Sequence, residues 1–198
     1  MNIRHFILLA FILLMFKSLS AQSDTALFCQ VSRNTNITGM YVLGSWALVN
    51  LGGGAFGWSK YSGRQKYFYQ MNFLWNTINL SIACIGLYNN CQLDCSLLNP
   101  EEIMSRHMQT EKILLINSAL DVGYIGTGFL LRHLSTQSDR RGELLKGYGN
   151  SLLLQGSFLL VFDLVLVGIL RNQRIDFLNH LNLTLLPGIT GLQFIINI

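Results

Sequence analysis

The sequence predicts an all-α fold, a four-helix transmembrane bundle behind a cleaved N-terminal signal peptide, and three observations lead there. Charged residues make up 12% of the 198 residues and hydrophobic ones 51%, whereas an ordinary soluble domain carries roughly 25% charge. The charges are also unevenly spread. Stretches 34–59, 67–93, 113–131 and 147–170 contain none, except Asp121 in the third and Asp163 in the fourth. Each is long enough to cross a bilayer as a helix, which takes about 20 residues. Finally, the polar residues inside these stretches recur at helical spacing, so each helix carries one polar stripe. Such a composition excludes a nucleic-acid binder, a disordered tail and a disulfide-dense secreted module.

Residues 1–21 open with Arg4, continue through the apolar run Phe6 to Phe16, and end on the small residues Ser18, Ser20 and Ala21. This is the pattern of a secretory signal peptide, and its apolar core of about 11 residues falls short of a spanning helix. An uncleaved anchor helix is the competing reading. Residues 22–37 then form an extracytoplasmic segment, and 38–174 the transmembrane domain, with spans near 38–58, 69–89, 113–132 and 148–170. Residues 175–198 read as an interfacial C-terminal segment, amphipathic around Phe177 to Leu186 and interrupted by Pro187 and Gly188. A fifth span over 177–198 competes with it.

Loop charges orient the chain. Lys60, Arg64 and Lys66 follow the first span and Arg132, Arg140, Arg141 and Lys146 the third, while Asp94, Glu101, Glu102 and Glu111 outnumber Arg106 and Lys112 after the second. Cytoplasmic loops carry the Lys/Arg excess, so both termini are expected outside the cytoplasm, in a bacterial inner membrane. Loss of Arg4 and Lys17 with the signal peptide lowers the net charge from +4 to +2. The high pI therefore reflects orientation rather than a surface for polyanions.

Polar side chains at bilayer depth are the informative ones, since a mid-helix carboxylate costs ~2.5–3.5 kcal/mol even on a lenient insertion scale. Trp46, Asn50, Gly53 and Gly57 mark the stripe of span one, Asn72, Asn76, Asn79 and Ala83 that of span two, and Asn117, Asp121, Tyr124 and Gly128 that of span three. Span four contributes Gln155 and Asp163. At ~1.5 Å per residue from the flanking charges, Asn50, Asn79, Asp121 and Asp163 share one slab near the midplane. The expected site binds a small ligand, ion or proton, with Asp121 and Asp163 as acceptors and Asn50, Asn76, Asn79, Asn117, Tyr124 and Gln155 as donors. The bland alternative is a structural or partner-binding membrane subunit in which these groups only hold the helices in register.

Spans one and three align at an offset of 71, pairing Asn50 with Asp121, and spans two and four at 79, pairing Asn76 with Gln155. That suggests two tandem helical hairpins in the same orientation. Gly53 and Gly57 form a GxxxG pair suited to close helix packing, against the competing reading that Gly52 to Gly54 unwind the helix.

Other chemistries fit poorly. Asp121 follows Ala119 and Leu120, not the GxGD of intramembrane aspartyl proteases. Cys29, Cys91 and Cys95 lie on the oxidising side and Cys84 within span two; Cys91 and Cys95 are expected to form a structural disulfide. A periplasmic thiol-disulfide oxidoreductase is the third functional reading, weakened because such quinone-linked enzymes place two residues between their cysteines and here there are three. Cys91, Cys95 and His107 match no zinc spacing, and no P-loop, Ser-His-Asp set or dinucleotide fingerprint is present. The reading is therefore of a non-enzymatic protein without metal or cofactor. Its expected partners are the lipid bilayer, a second copy or another membrane protein, and a small ligand or ion, but not nucleic acid.

The runs WNTINLSIACIGLY (Trp75 to Tyr88), INSALDVGYIGTG (Ile116 to Gly128) and LQGSFLLVFD (Leu154 to Asp163) resemble an uncharacterised family of small polytopic bacterial membrane proteins, mainly from Bacteroidota. The resemblance implies location and architecture and adds no reaction.

Overall fold

The charge-poor stretches all fold as helix: α1 (Ile3–Lys60), α2 (Gly63–Cys91), α3 (Pro100–Ser135) and α4 (Gly142–Leu185). This computed structural model describes the backbone of residues 3–138 and 141–185, and side chains within residues 24–138 and 141–181. Among the described residues there is no strand, as the all-α expectation requires. Two of the helices, α3 and α4, are long and apolar enough to cross a membrane by length and composition.

Each helix outruns the span expected of it. α1 is unbroken through Gly52 to Gly54, so the glycines do not unwind it. α3 starts well before residue 113 because Asn99 caps it: the Asn99 side chain accepts from the Glu102 amide, the Glu102 carboxylate accepts from the Asn99 amide, and Pro100 fills the first turn. α4 continues past Arg171 to Leu185, so residues 177–185 extend the fourth helix rather than beginning a new element. Residues 186–198, where the fifth-span alternative largely falls, lie outside the described residues. Between α1 and α2 only Tyr61 and Ser62 intervene, and the chain reverses through Gly63 at φ 58, a left-handed conformation that glycine adopts without penalty.

Packing follows the hairpins. α1 lies along α2 and α3 along α4, and the two pairs join chiefly through α2 against α4. α2 and α4 run parallel, since the Tyr148 hydroxyl donates to Gln70 and the Ser151 hydroxyl to Asn72. α2 and α3 nowhere come within 8 Å of each other, Cα to Cα, among the described residues. That leaves a gap along one side of the bundle.

Small residues set the close contacts. A Cβ on Gly149 would lie 2.8 Å from the Gly128 carbonyl oxygen and 3.2 Å from the Arg132 amide nitrogen, so α3 and α4 touch backbone to backbone here. On α1, Gly54 and Gly57 press against Phe73 and Tyr69, whereas Gly53 faces open space. The packing pair is thus Gly54 and Gly57, not the expected Gly53 and Gly57.

The distribution of polarity is inverted relative to a soluble bundle. Val49 is 74% exposed, and Ile78, Ile85, Val122, Phe129 and Val161 are exposed with it, while Asn76, Ser151 and Gln155 are 0% exposed. A soluble fold places such groups the other way round.

The expected Cys91–Cys95 disulfide is corrected by the structure. Cys95 is bonded to Cys29 of α1, with the two Cα atoms 5.9 Å apart, and Cys91 is free and exposed. Cys91 belongs to the last turn of α2 and faces outward, whereas the loop after it folds back under α1. There Cys29 and Cys95 are buried with Phe28 and Ile103. The bridge ties α1 to the α2–α3 loop at what is here termed the disulfide end of the bundle.

Two outcomes are expected. Gly149→Val should lower the melting temperature in detergent by the equivalent of ~1–3 kcal/mol through overpacking, while Gly123→Ala, inside α3 at a position facing open space, should not lower it and gains helix propensity. Alkylation of denatured, unreduced protein should modify two cysteines, Cys84 and Cys91, and Cys29→Ser should add Cys95 to them; modification of Cys29 and Cys84 alone would restore the Cys91–Cys95 pairing.

Candidate functional site

The buried face of α2 consists of Asn72, Asn76, Asn79 and Ala83, the same four residues as the stripe read from spacing. Three buried amides on one helix are tolerable only where other polar groups meet them. α3 supplies Ser118 and Asp121, and α4 supplies Ser151, Gln155 and Asp163. Ser118 closes on the Leu114 carbonyl of its own helix, and the other side chains divide into two zones along the bundle axis.

The first zone is internally satisfied. The Trp46 indole N–H donates to Gln155 Oε1 at 2.9 Å, and Gln155 Nε2 donates to Asn72 Oδ1 at 2.9 Å and to Asn50 Oδ1 at 3.3 Å. The Ser151 hydroxyl also donates to Asn72 Oδ1, at 2.7 Å. Asn50 and Asn76 close on their own helices by donating to the Trp46 and Asn72 carbonyls. This network bonds α1, α2 and α4 at one level and fixes their register. Phe158 stacks on Trp46, with ring centroids 3.8 Å apart, and covers it.

The second zone is a cavity of about 290 Å³ lined by α2, α3 and α4, with Leu43 contributed by α1. Asn79, Asn117, Asp121, Tyr124 and Asp163 line it, together with Trp75. Asp121 is 3% exposed and Asp163 5%. Both carboxyl groups belong to the lining of this one cavity, which contains no basic side chain. Two buried atoms of the lining have no partner in the protein: the Trp75 indole Nε1, a donor, and Asp121 Oδ2. The cavity lies at the gap between α2 and α3, where Trp75 and Tyr124 meet edge to face at 4.6 Å and the lip residues Ile78, Ile82 and Leu120 are exposed.

The eight residues expected to bind together are therefore separated. Asn79, Asn117, Asp121, Tyr124 and Asp163 line one cavity; Asn50, Asn76 and Gln155 do not line it. Asn117 is exposed at the lip, because the buried line of α3 runs through Leu114, Ser118 and Asp121. Trp75 was missed by spacing, though an indole N–H in the middle of a charge-free stretch is a polar handle that needs a partner.

A second titratable cluster holds the disulfide end. His107 is 2% exposed and contacts Ser32 Oγ through Nδ1 at 2.8 Å and the Leu170 carbonyl through Nε2 at 2.9 Å. Nε2 also lies 3.2 Å from Glu111. A carbonyl and a carboxylate both accept, so Nε2 carries the proton and Nδ1 accepts from Ser32. Glu111 takes two further bonds from Arg174, at 2.9 and 3.1 Å. Hydrogen bonding to Glu111 raises the Arg174 guanidinium above its ordinary value. Burial lowers the His107 pKa, outweighing the Leu170 carbonyl and Glu111, which favour the charged ring. Among the described residues no three His, Cys, Asp or Glu side chains are grouped to hold a metal.

The sequence profile of a family of unknown function, DUF6992, matches residues 42–164, which cover both polar zones. No curated protein and no solved structure matches the chain.

The His107 environment sets a pH dependence. Because its folded pKa lies below the unfolded value of about 6.5, the unfolded chain binds a proton that the folded chain refuses as pH drops below 6.5. Its contribution to stability is thus present above that pH and lost progressively below it. Melting temperature measured against pH should fall on the acidic side of 6.5, and His107→Gln should flatten that part of the curve; an unchanged slope would show that His107 is not the group responsible.

Proposed function

The chain belongs to DUF6992, a family of unknown function, and we propose that it is an integral membrane protein that binds a small hydrogen-bonding molecule in the Asp121 cavity. In this reading all four helices cross the bilayer of a bacterial inner membrane, residues 1–21 act as a cleaved signal peptide, and the N-terminus lies outside the cytoplasm. The exposed apolar faces of α1 and α2 support the first part, and the basic loops after α1 and α3 the orientation.

One observation carries the binding site: two residues that line the same cavity each hold a buried polar atom without a partner in the protein, the Trp75 indole Nε1, a donor, and the Asp121 carboxyl Oδ2. Leaving either unpaired costs about 1–3 kcal/mol, so an occupant that satisfies both is favoured. It must offer an acceptor to the indole and a donor to the carboxylate. A bare cation or a proton has no acceptor, which narrows the small ligand, ion or proton of the sequence reading to a molecule. A volume of about 290 Å³ stands at the lower end of ordinary ligand pockets, about 300–1,000 Å³. The α2–α3 gap supplies a lateral way in, so the occupant is one that partitions into lipid.

The alternative, a structural or partner-binding subunit without ligand, draws its support from the Trp46, Asn50, Asn72, Ser151 and Gln155 network, which is satisfied within the protein. A thiol-oxidoreductase has lost its basis, because Cys91 and Cys95 are not paired and the bonded cysteines are buried.

Native mass spectrometry of the full chain released from detergent tests the proposal. The wild type should carry a non-protein mass, and Trp75→Phe and Asp121→Asn, each removing one hydrogen-bonding partner at nearly constant shape, should each weaken its retention by about tenfold. A wild type without bound mass, or variants that keep it at wild-type occupancy, would favour the structural subunit.

A further inference from the structure

A second cavity, of about 280 Å³, lies at the disulfide end, between α1, the end of α2 and the first turns of α3. Its lining contains Arg33 and Arg106 and no Asp or Glu. Neither arginine is engaged by a carboxylate at salt-bridge distance among the described residues. Arg33 spends one Nη1 bond, at 3.1 Å, on the Leu93 carbonyl just beyond α2, while its Nε is buried and unpartnered. Asn36 Oδ1, one turn further along α1, is likewise buried without a partner. Asp94, in the α2–α3 loop, accepts from the Ser96 amide and hydroxyl in exposed surroundings and feels the Arg33 charge only as the weakest of the influences on it, since solvent screens an exposed charge. His107, also in the lining, is committed to Ser32 and Leu170.

A cavity lined by two arginines and free of acids is a phosphate-binding arrangement, because a guanidinium stays charged and presents its donors in a planar fork. Asn36 Oδ1 adds a requirement for a donor on the same ligand. We propose that this cavity is an anion site for a phosphate ester carrying an adjacent hydroxyl or ammonium group. Two sources have that chemistry: the headgroup of a membrane phospholipid, since the cavity borders the outer ends of the expected spans, and a free phosphate compound from the aqueous side. The site is independent of the Asp121 cavity.

Thermal melts of the full chain in a neutral detergent, titrated separately with inorganic phosphate, short-chain phosphatidylglycerol and short-chain phosphatidylcholine, test it. Phosphatidylglycerol supplies a phosphate diester with hydroxyl donors, and phosphatidylcholine the diester without them. Stabilisation by phosphatidylglycerol alone supports the headgroup source, and stabilisation by inorganic phosphate supports a free phosphate compound. In either case Arg106→Gln should weaken the apparent affinity by about tenfold. Arg106 is exposed, so this variant folds, and Arg33→Lys, which keeps the charge and loses the fork, provides a second loss of similar size. No stabilisation by either phosphate ligand, equal stabilisation by phosphatidylcholine, or affinities unchanged in both variants would overturn the proposal.

Discussion

Everything in this structure depends on the need to pair polar groups that have been taken out of water. Among the described residues, as many buried side chains are polar or charged as are hydrophobic, and the outer faces of the helices are apolar. An interior of that kind cannot be held by hydrophobic burial alone. It is held by hydrogen bonds in fixed geometry, and their demands decide which helices touch. α2 illustrates this: its buried face offers Asn72, Asn76 and Asn79, and it packs against α4 where Ser151 and Gln155 can answer Asn72.

Satisfaction is not uniform along the axis. At the level of Gln155 the bonds close completely among α1, α2 and α4. Toward the disulfide end the backbones of α2 and α3 stay apart, and the polar groups there, Trp75 and Asp121, keep unspent bonding capacity. Beyond them the helices are drawn together again by the Ser32, His107, Glu111 and Arg174 cluster and by the Cys29–Cys95 bridge. The Asp121 cavity thus lies between two well-tied layers. That placement keeps its lining fixed while one side remains open, as the proposed binding role requires.

Much of this was legible in the residues. The helical class and the four stretches followed from charge spacing, and the α2 stripe from the 3.6-residue period, because both depend on one helix at a time. Depth within the helices predicts Asp121 and Asp163 to be neighbours, and both line the same cavity. A partner far along the chain leaves no local signal. Proximity in sequence pairs Cys95 with Cys91, whereas its partner, Cys29, lies 66 residues away. Gly53 was chosen over Gly54 because a one-position rotation of α1 is invisible without α2 beside it. Trp75 carried no signal in its spacing, since its importance comes from the cavity it borders.

The sequence by itself determined the helices, which of their faces are polar, and that two carboxyls would share an interior, since composition and periodicity act locally. Only the tertiary structure decided which polar groups satisfy one another and which are left facing a cavity. The reason is that a hydrogen bond has a length and a direction: whether Gln155 meets Asn72 or a ligand depends on the relative rotation and spacing of whole helices, set jointly by glycine contacts, the disulfide and every other polar pair.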